Sequence, residues 1–260
     1  MSVKAVVFAA SCSAFMFGCS ADQPRDGGDE TQEIISNLVQ AGFPANDIMV
    51  VDGVVYVGRD AAVSLQASRE MLEVDEASAG KEQYRTNNLV SSSVATICVN
   101  GAAFTGSFST ALDNAIGNYN ALGLSFRMLR TSGSTTGCNA VITAKTASGT
   151  GGSSGFPKNG LPFNTINIGT GLTSFATNTI THVITHELGH CVGFRHSDYF
   201  DRSISCGTGG NEGTAGVGAI LIPGTPSGAT VGGSVMNSCF RTNENGKFTS
   251  TDITALQFLY

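Results

Sequence analysis

All four histidines of this 260-residue chain fall in one stretch, THVITHELGHCVGFRHSDY, residues 181–199. On a helix, His186 and His190 lie four apart and share one face, one turn from each other. Two neutral imidazoles at that spacing can grip one divalent cation. Glu187 stands beside the first of them, where its carboxylate can reach a metal-bound water without being a ligand itself. Gly193 can take the positive φ that stops a helix sharply. A chain that turns back there can aim His196 at the same ion. Three nitrogen ligands leave a fourth position open, the mark of catalytic rather than structural zinc. Zinc lowers the pKa of a bound water to about 7. Glu187 would take that water's proton during attack on a carbonyl and pass it to the leaving amine.

The pattern HExxHxxGxxH arises by chance on the order of once in 10⁵ chains of this length. HELGHCVGFRH (186–196) resembles the extended zinc motif of the metzincin metallopeptidases. The resemblance implies one Zn2+ held by His186, His190 and His196, with Glu187 as general base. It also implies a methionine turn beneath the metal, for which Met236 in GGSVMNS is the candidate. Within the metzincins the chain is similar to the M57 family, the dual-action HEIGH metallopeptidases of bacteria. The shared stretches are HELGHCVGFRHSDY, SCGTGG, LIPGTPSGA, SVMNSC and the terminal FTSTDITALQFLY, over roughly 85–260. Leu188 stands where the family's label has Ile. The implied product is an exported zinc endopeptidase acting on protein or peptide. Its implied α/β (α+β) fold is a twisted, mostly parallel sheet with one antiparallel edge strand. An active-site helix divides that sheet from a loop-rich lower subdomain ending in a C-terminal helix. Some metzincins carry a Tyr two residues after the turn methionine; here that position is Ser238, and Tyr199 is a substitute that spacing does not establish.

Other residues invite chemistry and are weighed against plainer roles. His182 lies one turn before His186 on the same helical face, where packing is the expected role and a fourth ligand would close the open position. GGSSG (151–155) fits GxSxG, but a serine elbow needs a strand before and a helix after. That run is expected as a loop, and residues 152–159 as the sheet edge where a substrate would add as a strand. Asp52 and Asp60 are turn aspartates that become zinc-blocking residues if the N-terminal region is a pro-segment.

Several elements must position these residues. The patterns predict helices in 30–41, in AVSLQASREML (62–72), over 108–122 and over 177–193. A terminal helix is expected to be capped by Ser250 or Thr251, with Ile253, Leu256 and Leu259 inward. DIMVVDGVVYVGRD reads as a hairpin turning on Asp52-Gly53. Strands are expected in 92–100, 124–130, 139–146 and 163–169. Strands alternating with helices argue for an α/β sheet packed under long helices. Residues 76–88 are polar and aperiodic, and read as a linker.

Charge divides the chain. Cys19–Val90 carries 13 acidic and 5 basic residues; Ser91–Tyr260 carries 7 and 8. With no basic patch, nucleic acid is not an expected partner. The N-terminus has Lys4 and an apolar run from Ala5 to Gly18, too short for a bilayer span of ~20 residues and suited to an export signal. MFGCS resembles an imperfect lipoprotein box that would make Cys19 a lipidated first residue; ordinary cleavage nearby is the other reading. An exported protein, either an outer-membrane lipoprotein or extracellular, is expected, with membrane contact only through lipid at Cys19. Of seven cysteines, Cys12 leaves with the signal and Cys19 is spoken for, so five remain. Disulfides suit an oxidising compartment. Cys98, Cys138, Cys206 and Cys239 allow three pairings; Cys98–Cys138 and Cys206–Cys239 are expected, with Cys191 buried on a helix. The resulting organisation is a signal peptide at 1–18, an acidic pro-segment and linker at 19–90, and a zinc peptidase domain at 91–260, expected as a monomer. The competing reading, a surface lipoprotein that binds protein or glycan around a structural metal, leaves Glu187 without a purpose.

Overall fold

The computed structural model describes residues 27–58, 60–70, 72, 83–208, 210–212, 219–226 and 228–260. The signal segment, Cys12, Cys19 and the linker from 76 to 82 lie outside them. The elements run α1 (Gly27–Gln40), β1 (Ile48–Val51), β2 (Val54–Val57), β3 (Ala61–Val63), α2 (Leu65–Glu70), β4 (Tyr84–Arg85), β5 (Thr96–Asn100), α3 (Gly106–Asn120), β6 (Arg127–Thr131) and β7 (Ala140–Ala147), then β8 (Gly152–Gly155), β9 (Thr165–Gly169), α4 (Thr177–Cys191), α5 (Ser203–Cys206), β10 (Ile220–Leu221) and α6 (Ser250–Leu259). Among the described residues no helix is long and apolar enough to cross a membrane.

One eight-stranded sheet has the order β1-β2-β3-β8-β9-β7-β5-β6. Strands β6, β5, β7 and β9 are mutually parallel, and β8 runs antiparallel to β9. These five strands are the expected parallel sheet with one antiparallel strand beside the cleft, and β1, β2 and β3 extend it as an antiparallel meander. The outer side of β8 is not free, however. β3 pairs with β8 in parallel, Ala61 opposite Ser154 and Ala62 opposite Gly155. The segment GGSSG, expected as a loop, is therefore strand β8, hydrogen-bonded on both sides. Gly and Ser have low strand propensity, and pairing with two neighbours overrides it.

Two cores hold the chain. In the larger, Ile97, Val99, Ile142, Ile166 and Ile168 of the sheet meet Leu112, Ile116 and Tyr119 of α3, Ile184 and Leu188 of α4, and Leu256 of α6. Burying each such aliphatic side chain stabilises the fold by roughly 1.5–3 kcal/mol. The smaller core joins Ile34 and Leu38 of α1 to Val55, Val57 and Val63, closing on Phe156. The β1–β2 hairpin turns through Asp52 (φ 50°) and Gly53 (φ 78°), as the Asp-Gly pair predicts. The cap of α6 is Thr249 rather than Ser250 or Thr251. Its side chain and that of Asp252 form a reciprocal capping box, which sets the helix start one residue earlier.

Residues 83–90, read in the sequence as linker, pack on the larger unit. β4 pairs with β10, Thr86 N–H donates to Gly193 O at 2.8 Å, and Gln83 is fully buried. The disulfides are Cys98–Cys138 and Cys206–Cys239; Cys191 is free and buried, all as expected. Cys98–Cys138 spans a sequence separation of 40, which by loop entropy corresponds to about 4 kcal/mol. The double variant Cys98→Ser/Cys138→Ser is expected to lose about 2–4 kcal/mol, read as a lower urea midpoint at an unchanged slope.

Candidate active site

Helix α4 is buried along nearly its whole length, from Thr179 to Cys191. A buried helix is a rigid mount. Thr181 and Thr185 satisfy their hydroxyls on carbonyls one turn back. The hydroxyl of Tyr119 donates to Thr185 O, locking α3 to α4 one residue before the first ligand position. At the far end Gly193 takes φ +108°, a conformation that side-chain-bearing residues rarely adopt. The reversed chain is held by β4, with Arg195 N–H donating to Tyr84 O at 2.8 Å. Tyr260 OH donates to Val192 O, so the C-terminus braces the same bend.

That bend brings His196 back onto the helix. His186 Nε2 and His190 Nε2 each lie 3.3 Å from His196 Nε2. His186 Nδ1 donates to Val235 O and His190 Nδ1 to Phe194 O, both at 2.8 Å. A carbonyl only accepts, so each Nδ1 carries the proton and each Nε2 presents a lone pair. His196 Nδ1 donates to the Glu212 carboxylate at 2.6 Å. Lone pairs 3.3 Å apart cannot satisfy one another. A tetrahedral cation with bonds of ~2.0–2.1 Å spaces its ligands about 3.3–3.4 Å apart. Both separations from His196 match that edge, so the residues fit a zinc ion, whose preferences favour imidazole nitrogens in a tetrahedron.

Asp60 completes the group. Its Oδ2 lies 3.0 Å from His196 Nε2 and 3.7 Å from His186 Nε2, and its Oδ1 lies 3.9 Å from His190 Nε2. These four residues offer donor atoms all within 4.8 Å of one another. The β3–β8 register sets this placement, because Ser154 N–H donates to Asp60 O at 2.9 Å. Asp52 sits on the hairpin turn instead, outside that group.

Glu187 is 1% exposed, and its Oε2 has no hydrogen-bond partner. Burial, with the Asp60 carboxylate adding to it, pushes its carboxyl well above the usual range. β8 runs against it so closely that a Cβ at Gly152 would collide with its carboxylate. Burial opposes ionisation of Asp60, but the charge of His196 and its hydrogen bond outweigh it and hold the carboxyl low. Burial likewise works against charge on His196, and Asp60 with Glu212 overcomes it. His190, buried beside His186, falls to about 3. Glu212 is taken down to about 2, its burial overcome by His196, Arg195 and Arg202.

A family model described as dual-action HEIGH metallo-peptidase matches residues 55–260. The chain belongs to this family. The match begins well ahead of the stretch that the motifs marked out and takes in Asp60 and β3. No curated protein matches. Two solved structures are similar in part. Myroilysin shares 14% identity, covering 68% of this chain and 96% of its own, at a TM-score of 0.42. High choriolytic enzyme 1, a hatching enzyme zinc-protease from the medaka fish Oryzias latipes, shares 16%, covering 72% and 97%, at 0.34.

In this metallopeptidase the expected His186, His190, His196 and Glu187 come together. Met236 is buried beneath them, its sulfur pressed to Gly189 on α4. His182 stands outside the four-residue donor group. Ser153 of GGSSG has the Asn167 amide as its partner, with no histidine to activate it. Tyr199 is buried in a separate cluster with Tyr84 and Ala219. Ser238 lines the cleft, its backbone N–H and hydroxyl donating to Asp198. Sequence reasoning missed Glu212, which lies in a loop just past the SCGTGG stretch, with no spacing that ties it to His196. It also missed the Val235 and Phe194 carbonyls, which carry no residue signature.

Outer carboxylates that orient a metal-ligating histidine change metal affinity about 10–100-fold. Glu212→Gln is expected to lower zinc affinity by that factor, measured by competition with a chromophoric chelator. Asp60 and Glu212 on either side favour the protonated form of His196, so a cation entering the site must displace that proton. Zinc affinity is therefore expected to fall as pH falls, with proton release on metal uptake measurable in weakly buffered solution.

Proposed function

We propose that this metallopeptidase is an exported endopeptidase, synthesised in a latent form, that cleaves extended protein segments laid along β8. The observation that carries this is the convergence of the three Nε2 atoms, His196 lying 3.3 Å from both His186 and His190, beside the buried Glu187 carboxylate, whose Oε2 has no partner. When bound there, zinc supplies Lewis acidity toward a substrate carbonyl and acidifies water. The chain's residues do the rest. His186 and His190 stay fixed because their Nδ1 protons are committed to backbone carbonyls, and Glu212 fixes His196 through its Nδ1. Glu187, whose burial raises its affinity for a proton, accepts one from water in its ionised form and delivers it to the departing amine nitrogen. Gly152 lets the backbone of β8 lie alongside, where an extended peptide can hydrogen-bond to it.

Latency rests on β3 and Asp60. β3 fills the edge of β8 that a substrate strand would use, and the Asp60 carboxylate fills the corner facing the three imidazoles. The N-terminal unit also has its own core, so release of residues ahead of Gln83 would vacate both places without opening the larger core. Export, with a lipid on Cys19 or ordinary cleavage nearby, is supported by Lys4, the apolar run and Gly18-Cys19. Two disulfides agree with an oxidising compartment.

Digestion of casein is expected to stop with a zinc chelator and resume when zinc is restored. Glu187→Ala should lower kcat about 10²–10⁴-fold while bound zinc, measured by elemental analysis, stays at the parent level. Full activity in that variant would refute the proton transfer. Asp60→Ala should raise the activity of the uncut chain at least ~tenfold, by raising the fraction in a competent state. An uncut Asp60→Ala chain as inert as the parent would remove Asp60 from the latency mechanism.

A further inference from the structure

The eight-stranded sheet ends in β6 on one side and β1 on the other, and the two ends are finished differently. On β6 the amide of Asn120 donates to Met128 O and accepts from Met128 N–H, both at 2.8 Å. An incoming strand would find Met128 already paired. Among the described residues β1 pairs only with β2. Asp52 and Gly53 form a two-residue turn with positive φ at both positions, so Val51 and Val54 exchange hydrogen bonds and the pairing alternates from there. Ile48 and Val50 therefore direct N–H and C=O away from β2. Natural sheets blunt such an edge with a lysine, a proline or a bulge. β1 reads IMVV in unbroken register with β2 and has none of these.

The side chains are as open as the backbone. Val55 and Val57 turn inward onto Ile34 and Leu38 of α1. Alternation puts Met49, Val51, Val54 and Tyr56 on the opposite face, where Val51 is 51% and Val54 41% exposed. Val50, at the rim of the inner face, is 48% exposed. A contiguous apolar patch of this kind marks a contact surface, where single exposed residues do not.

Charge narrows what can cover it. Residues 27–58 hold Asp29, Glu30, Glu33, Asp47 and Asp52 and no lysine or arginine. Glu33 is paired with Arg69, and Asp52 stands exposed on the turn that ends β1. Joining β1 to β1 would set two units of like charge side by side. Joining β1 to β6 of a second copy would meet the strand that Asn120 closes. A cationic chain meets neither obstacle.

We propose that the outer edge of β1 is a docking site for an extended segment of another protein, apolar where it runs beside Val50 and Val51 and carrying lysine or arginine where it passes Asp52. The segment adds as a further strand, its backbone bonded to Ile48 and Val50. β2 and β3 stand between β1 and β8, so the partner binds the latent chain without entering the cleft. The docking site does not depend on the peptidase reading.

The experiment titrates the full, uncut chain into a fluorescein-labelled peptide, Gly-Ser-Lys-Val-Thr-Val-Thr-Lys-Gly-Ser, and follows anisotropy. Lysine at both ends lets either strand direction bring a cation to Asp52. Binding is expected, weakening as salt rises, and it should slow amide hydrogen exchange at Ile48 and Val50. Replacing both peptide lysines with glutamate should cost at least about tenfold in affinity. Of two peptides N-methylated on alternate residues, the one whose methyl groups face β1 should lose about tenfold and the other little. Asp52→Asn keeps a residue that tolerates positive φ and should weaken binding about two- to fivefold. Val50→Lys puts a cation on the edge and should weaken it about tenfold. Absence of binding overturns the proposal. So does equal binding of the glutamate peptide, or of both methylated peptides. Self-association of the full chain that Val50→Lys abolishes would give the edge to a second copy and overturn the cationic partner.

Discussion

His196 Nε2 lies 3.3 Å from both His186 Nε2 and His190 Nε2, and imidazole nitrogens that close repel one another unless a proton or a cation lies between them. Asp60 favours either, because its carboxylate attracts positive charge to that spot. Every nearby element can be understood by asking what keeps the rings from turning away. His186 is held by Val235 O, and Val235 N–H donates to Asp252. Asp252 also closes the capping box of α6 and accepts from Ser234 and Gln83. The N-terminus of the last helix, the turn bearing Met236 and the buried Gln83 therefore form one polar knot behind the first imidazole. A buried hydrogen-bonded network of this kind fixes geometry more than it adds stability.

His196 is held differently. It lies beyond the helix, so a rigid rod does not place it. Its Nδ1 rests on Glu212, whose charge is balanced by Arg195 and Arg202. Breaking one member of such a buried group costs about 3–5 kcal/mol, because the others are left unpaired. Asp198 ties the next residues to Ser205 and Ser238, on either side of the Cys206–Cys239 disulfide. The third imidazole thus depends on covalent and ionic links across a loop-rich region, where the first two depend on helix pitch.

That contrast explains what the sequence disclosed. HELGH was legible because 3.6 residues per turn puts positions four apart on one face, and Gly193 was legible because few residues accept its φ. The sheet's parallel body and the Asp-Gly hairpin were legible from alternation and turn chemistry; the odd cysteine count pointed to one free thiol, but among three possible pairings it could not choose. Glu212 was not, because one acidic residue in a polar loop has no periodicity to mark it. The Val235 and Phe194 carbonyls were not, because every residue has one. β8 was not, because GGSSG has the composition of a loop and becomes a strand only when β3 and β9 flank it. Residues 83–86 were misread as linker for a related reason: their order comes from contacts with Gly193, Tyr199 and Asp252, distant in sequence.

The N-terminal unit raises a question of economy in the sheet. An unpaired strand edge is a hazard, since it invites pairing with any extended chain. A peptidase that recognises substrates by strand addition needs such an edge next to its catalytic group. On the proposed reading both demands are met by timing. While β3 is present, the outer side of β8 is paired through Ala61 and Ala62, and the same segment carries Asp60 to the imidazoles. One displacement would then free the edge and the fourth corner together. The pairing is only two residues long on β8, so a few hydrogen bonds separate the closed state from the open one. The coupling depends on Asp60 directly preceding β3. An added residue between them would shift every later side chain to the opposite face and separate the block on the edge from the block on the metal corner.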